Sequence, residues 1–74
     1  MEIKQRIKKR KDLTEKQVKL LEYIAAGWND EEIAAQMNIK MPTVRFNLSK
    51  IYDKTGTCNR PHLVAWAFRN SIIQ

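Results

Sequence analysis

The sequence predicts an all-α domain, and three observations predict it. Apolar residues recur at helical spacing in four successive segments. Residues that favour helix starts open these segments, and Gly or Asn closes the first three. No stretch sustains strand-like alternation beyond a few residues.

The first helix opens at Thr14-Glu-Lys-Gln17. This spacing forms a capping box: the Thr14 hydroxyl accepts from the third helical amide while Gln17 reaches back to the cap. Leu20, Leu21, Ile24 and Ala25 form its buried stripe, and Gly27 stops it by tolerating the left-handed conformation. Asn29-Asp-Glu-Glu32 is a second box, whose acidic first turn suits the positive helix end. Ile33, Ala34 and Met37 face inward, and Asn38 ends this helix after about two turns. Trp28 seals the junction between the first two helices.

Ile39-Lys-Met-Pro-Thr43 leads into the third helix, with Pro42 in the first turn, where its missing amide proton costs nothing. Val44, Asn47, Leu48, Ile51 and Thr55 line one side of it, and Gly56 closes it. Asn59 and Pro61 start a fourth helix carrying Leu63, Val64, Ala67 and Phe68. Residues 1–12 read as a frayed solvated tail, a basic arm or an extra helical turn built on Ile3 and Ile7, ahead of a domain over 13–74.

Composition narrows function. With 74 residues, the chain buries only about 60% of its unfolded surface, too little for a multi-layer enzyme with a deep cleft. The net charge of +6 points to a polyanionic partner, and residues 40–74 alone carry +5. Residues 13–39 carry −3, so the charge is polarised. Cys58 has no intrachain partner for a disulfide, no apolar run approaches the ~20 residues that span a bilayer, and no signal-peptide pattern follows the basic start. Cytosol is the expected compartment. His62 stands alone and no glycine-rich phosphate loop occurs, so the expectation is no enzyme, no metal and no cofactor.

Two short amphipathic helices joined by three or four residues, the second cationic, are the parts of a helix-turn-helix unit. On the third helix Met41, Pro42, Arg45, Phe46, Ser49 and Lys50 fall opposite the Val44/Leu48/Ile51 stripe. A face of this kind fits the major groove, where Arg45 would grip guanine O6 and N7 and Phe46 would lie on a thymine methyl. Around it, Lys40, Thr43, Lys50, Lys54 and Arg60 are phosphate candidates. Bland readings stand beside these: a solvated Arg45, a Phe46 in a dimer contact, or Lys54 and Arg60 paired with Glu15 or Glu22 of the first helix.

At this point the sequence resembles the LuxR/FixJ-type effector domains, in the manner of GerE, a short free-standing member. Leu13-Thr14, Leu20-Leu21, Ala25, Gly27, Glu32-Ile33-Ala34, Met37, Ile39, Thr43-Val44-Arg45, Ile51, Lys54, Gly56 and Arg60 carry the resemblance. No piece is specific alone; their order and spacing are. The sequence departs from the family pattern at Gln17, Lys19, Lys40, Asn47, Thr55 and Thr57, and at Lys40 the usual serine N-cap is lost.

The resemblance implies a four-helix LuxR-type helix-turn-helix domain that binds double-stranded DNA sequence-specifically and regulates transcription. It implies base contacts at Arg45, Phe46 and Ser49. It also implies a homodimer through the last helix, with Trp66, Arg69, Asn70 and Ile73 at the interface. Trp66, Phe68, Ile72 and Ile73 are expected to leave more apolar surface than four helices bury, the alternative being intramolecular core. RNA polymerase or another regulator is a further partner it implies. The competing function is a protein-interaction module of the same fold that binds or sequesters another regulator. Membrane-surface binding through residues 1–12 is weaker, since Ile3 and Ile7 offer little apolar area. With Met1 present and a short free-standing relative in view, the chain is expected to be complete.

Overall fold

The computed structural model describes residues 13–73, so the expected basic arm at 1–12 lies outside the described residues. Four helices follow one another: α1 (Glu15–Ala25), α2 (Asp30–Met37), α3 (Met41–Thr55) and α4 (Arg60–Arg69). Among the described residues there is no strand.

The starts form as the sequence dictates. Both arms of the α1 box are made, with the Gln17 amide donating to Thr14 Oγ1 (3.1 Å) and the Thr14 amide to Gln17 Oε1 (3.0 Å). At α2 the Asn29–Glu32 box closes with bonds of 2.8 and 2.9 Å. Asn59 caps α4 by accepting from the His62 amide at 2.8 Å. Lys40 occupies the cap of α3 with no side-chain bond. Two features soften that loss: Pro42 has no amide proton to satisfy, and the Thr43 amide donates to Lys40 O (2.9 Å).

The ends share one device. A left-handed residue follows each helix: Gly27, Asn38, Gly56 and Ser71. After each one the next amide donates to a carbonyl five residues back: Trp28 to Tyr23, Ile39 to Ala34, Thr57 to Tyr52 and Ile72 to Ala67. This bond satisfies an orphan carbonyl and turns the following side chain toward the helix it has left.

Leu20, Leu21, Ile33, Val44, Ile51 and Leu63 are the largest fully buried side chains, so all four helices feed one core. α2 packs on α3, while α1 packs on α4 and α3. Trp28 is half-buried against this core and stacks on Tyr23 with centroids 4.5 Å apart, as the junction reading requires. Thr57 is buried yet satisfied, its hydroxyl 2.8 Å from that of Thr55, which also donates to Ile51 O.

One apolar expectation needs correction. Ile72 and Ile73 are not spare surface on the last helix; they are 3% and 7% exposed and belong to the core. The cause is the left-handed turn at Ser71, which folds them back over the end of α4. Phe68 is 51% exposed, in keeping with the apolar surface expected on the last helix. Trp66 is half-buried against the core.

Candidate nucleic-acid interface

The site is built on α3, a helix of 15 residues and about 22 Å. Val44, Leu48 and Ile51 are buried on one side, which forces their neighbours in the turn outward. Pro42, Thr43, Arg45, Phe46, Ser49 and Lys50 are accordingly exposed, while Met41 is half-buried and packs against the core. Only Met41 among the six residues expected on the outer face is drawn inward. Asn38, Ile39 and Lys40 form the connector, so α2 and α3 make a helix-turn-helix pair with α3 as the outer-facing member.

Phe46 is 61% exposed, an arrangement that core packing does not account for. The Lys50 ammonium lies over its ring, 4.7 Å from the centroid. The pair joins an apolar plate to a cation on one turn of the exposed face. Ser49 is exposed on the same face, one turn beyond Arg45.

The expected phosphate group divides. Lys40 and Thr43 are exposed at the start of α3, and Lys50 along its middle. Lys54 donates to Gln17 Oε1 at 3.1 Å, tying the C-terminal part of α3 to the start of α1. Arg60, only 34% exposed in its side chain, pairs with Asp30 of α2. Both residues therefore brace helices, as the alternative reading held, Lys54 through a bond to Gln17 of α1 and Arg60 through Asp30 of α2. Gln17, a departure from the family's glutamate, fits this double duty as a buried neutral acceptor for its own cap and for Lys54.

Asp30 is the residue that sequence reasoning passed over. One oxygen takes Arg60 and the other accepts from Arg45 Nε at 3.2 Å. It was legible only as part of an acidic first turn, because its partners lie 15 and 30 residues away.

Trp66, Asn70, Arg69 and Ile73, the expected interface set, do not form one exposed patch. Arg69 is exposed, Trp66 and Asn70 are half-buried, and Ile73 is in the core. Asn70 Nδ2 donates to Trp66 O at 2.8 Å. Cys58 Sγ lies 3.6 Å from His62 Nδ1, and among the described residues no cluster of three or more metal-ligating side chains forms. No helix among the described residues is long and apolar enough to cross a membrane.

A helix-turn-helix pair with its cationic helix outermost is common to several families, and comparison with known proteins decides among them. The model of the luxR family of bacterial regulatory proteins matches residues 11–67. The chain belongs to that family. Its curated relatives include the response regulator protein VraR of Staphylococcus aureus (strain Mu3) and of Staphylococcus epidermidis (strain RP62A). Each is 33% identical over 78 aligned residues, which cover all of this chain and 37% of the relative. The chain thus spans little more than a third of the length of these relatives. In general terms, family membership makes this chain a DNA-binding domain of transcription regulators.

Proposed function

We propose that this LuxR-family chain reads specific sequences in double-stranded DNA, with the outer face of α3 in the major groove, and regulates transcription as a homodimer. The observation that carries the reading is that face itself. Arg45, Phe46 and Ser49 stand exposed along it, opposite a stripe of Val44, Leu48 and Ile51 that anchors the helix to the core. Arg45 would donate to guanine O6 and N7, Phe46 would cover a thymine methyl, and Ser49 would serve a base edge or a phosphate. Lys40, Thr43 and Lys50 hold the backbone, and Lys54 and Arg60 add positive charge at the edges of the site while bracing it.

A dimer would set two such helices about one DNA turn apart. Exposed Phe68 and Arg69, with half-buried Trp66 and Asn70, support α4 as the joining surface. Ile73 supports that surface from within the core. Residues 1–12, the six-cation arm, and a cytoplasmic location complete the reading.

The test is selection of binding sites from a random duplex library, followed by quantitative gel shift. Wild type is expected to enrich a guanine-containing motif. Arg45→Ala is expected to relax choice at one base position by roughly 1–3 kcal/mol. Equal loss on selected and random duplexes would refute the base-contact role.

A further inference from the structure

We propose that Asp30 is a positioning residue for base readout: it holds the Arg45 guanidinium in the orientation that recognises guanine. The inference rests on the α3 groove-reading assignment above and extends it to a residue of α2.

The geometry makes Asp30 a junction of three helices. Asp30 is the first residue of α2, and Arg60, the first residue of α4, pairs with its Oδ1. Its Oδ2 accepts from Arg45 Nε on α3 at 3.2 Å. Each carboxylate oxygen therefore serves a different arginine. The aspartate is itself fixed, because the Asn29–Glu32 box locks the turn on which it sits and the helix start favours its charge. Of the three acids in that turn, Asp30, Glu31 and Glu32, Glu32 is committed to the Asn29 amide and Asp30 is the one paired with α3 and α4.

Stability does not explain the Arg45 contact. Arg45 is 64% exposed in its side chain, and ion pairs this open contribute little to folding. An arginine engaged through Nε, however, keeps both terminal amino groups for another acceptor pair, and these form the fork that matches guanine O6 and N7. Holding that fork before binding removes rotamer freedom that would otherwise be lost on the DNA. The carboxylate also lies beside the recognition face, where it repels phosphate wherever no guanine repays the approach. Asp30 thus lowers affinity for random DNA while raising discrimination.

These two effects have opposite signs, and a structural lesion would not reproduce them. The probe is the duplex selected by wild type and the same duplex with its Arg45-dependent G·C replaced by A·T, measured by fluorescence anisotropy beside a random duplex. Asp30→Asn is expected to cut the guanine preference at least threefold while leaving random-duplex affinity unchanged or tighter. In an Arg45→Ala background it is expected to change the preference no further, and Asp30→Glu is expected to keep more of it than Asp30→Asn. Wild-type preference in Asp30→Asn, or equal weakening on all three duplexes, would overturn the proposal.

Should Arg45→Ala itself keep the preference, the base-contact reading fails and this proposal falls with it. Relaxation of the arginine Nε signals in the free wild-type protein gives a check independent of any variant. Arg45 is expected to be markedly more ordered than exposed Arg69, which has no ion pair among the described residues; equal mobility of the two would overturn the proposal.

Discussion

At Gly56 the backbone turns left-handed with φ at +72°, and a Cβ built there would meet nothing within 4 Å. The cost of a side chain at this position is therefore conformational strain alone. Gly56→Ala is expected to destabilise the domain by about 1 kcal/mol in urea unfolding, and an unchanged midpoint would contradict the assignment of Gly56 as the α3 stop. Such a glycine is legible in a sequence because few other residues accept that conformation. Ser71 adopts the same turn with φ at 58°, and no composition rule marks a serine for it. That one hidden turn is why Ile72 and Ile73 read as surplus surface and fold as core. Asp30 was hidden for another reason: its ion pairs depend on how α2 meets α3 and α4, which local spacing does not encode.

The four helices were legible because each carries its own punctuation, down to both arms of two capping boxes. Three of the four stops, at Gly27, Asn38 and Gly56, were legible for the same reason. The outer face of α3 followed from the inner one: once Val44, Leu48 and Ile51 are buried, Arg45, Phe46 and Ser49 have no other place to go. Met41 was misplaced because the first turn of α3 leans on the core, where facing direction depends on the angle of the connector. Lys40 is the weak point among the caps. Lys40→Ser would let a hydroxyl accept from the Thr43 amide, and is expected to raise stability by roughly 0.5–1 kcal/mol in thermal unfolding. The same change removes a cation beside the α3 start, so duplex affinity is expected to fall as stability rises. A joint rise in both would exclude Lys40 from phosphate binding.

Across the whole molecule, charge is divided by task. Asp30 binds Arg60 and Arg45, and Lys54 reaches Gln17, while Lys40 and Lys50 remain exposed on the α3 side. Affinity for duplex is expected to fall with salt, and Lys50→Ala is expected to lower the log–log slope by about 1. An unaltered slope would remove Lys50 from the phosphate contacts. The family, the helix-turn-helix pair and the exposed cationic face all bear on one claim, that the outer side of α3 is what enters DNA. Backbone amide shifts of the labelled chain, titrated with its selected duplex, test it most directly. The largest shifts are expected between Lys40 and Lys50, with smaller ones near Arg60. If the shifts gather instead on α4 while the amides of Arg45, Phe46 and Ser49 stay where they were, α3 is not the reading helix.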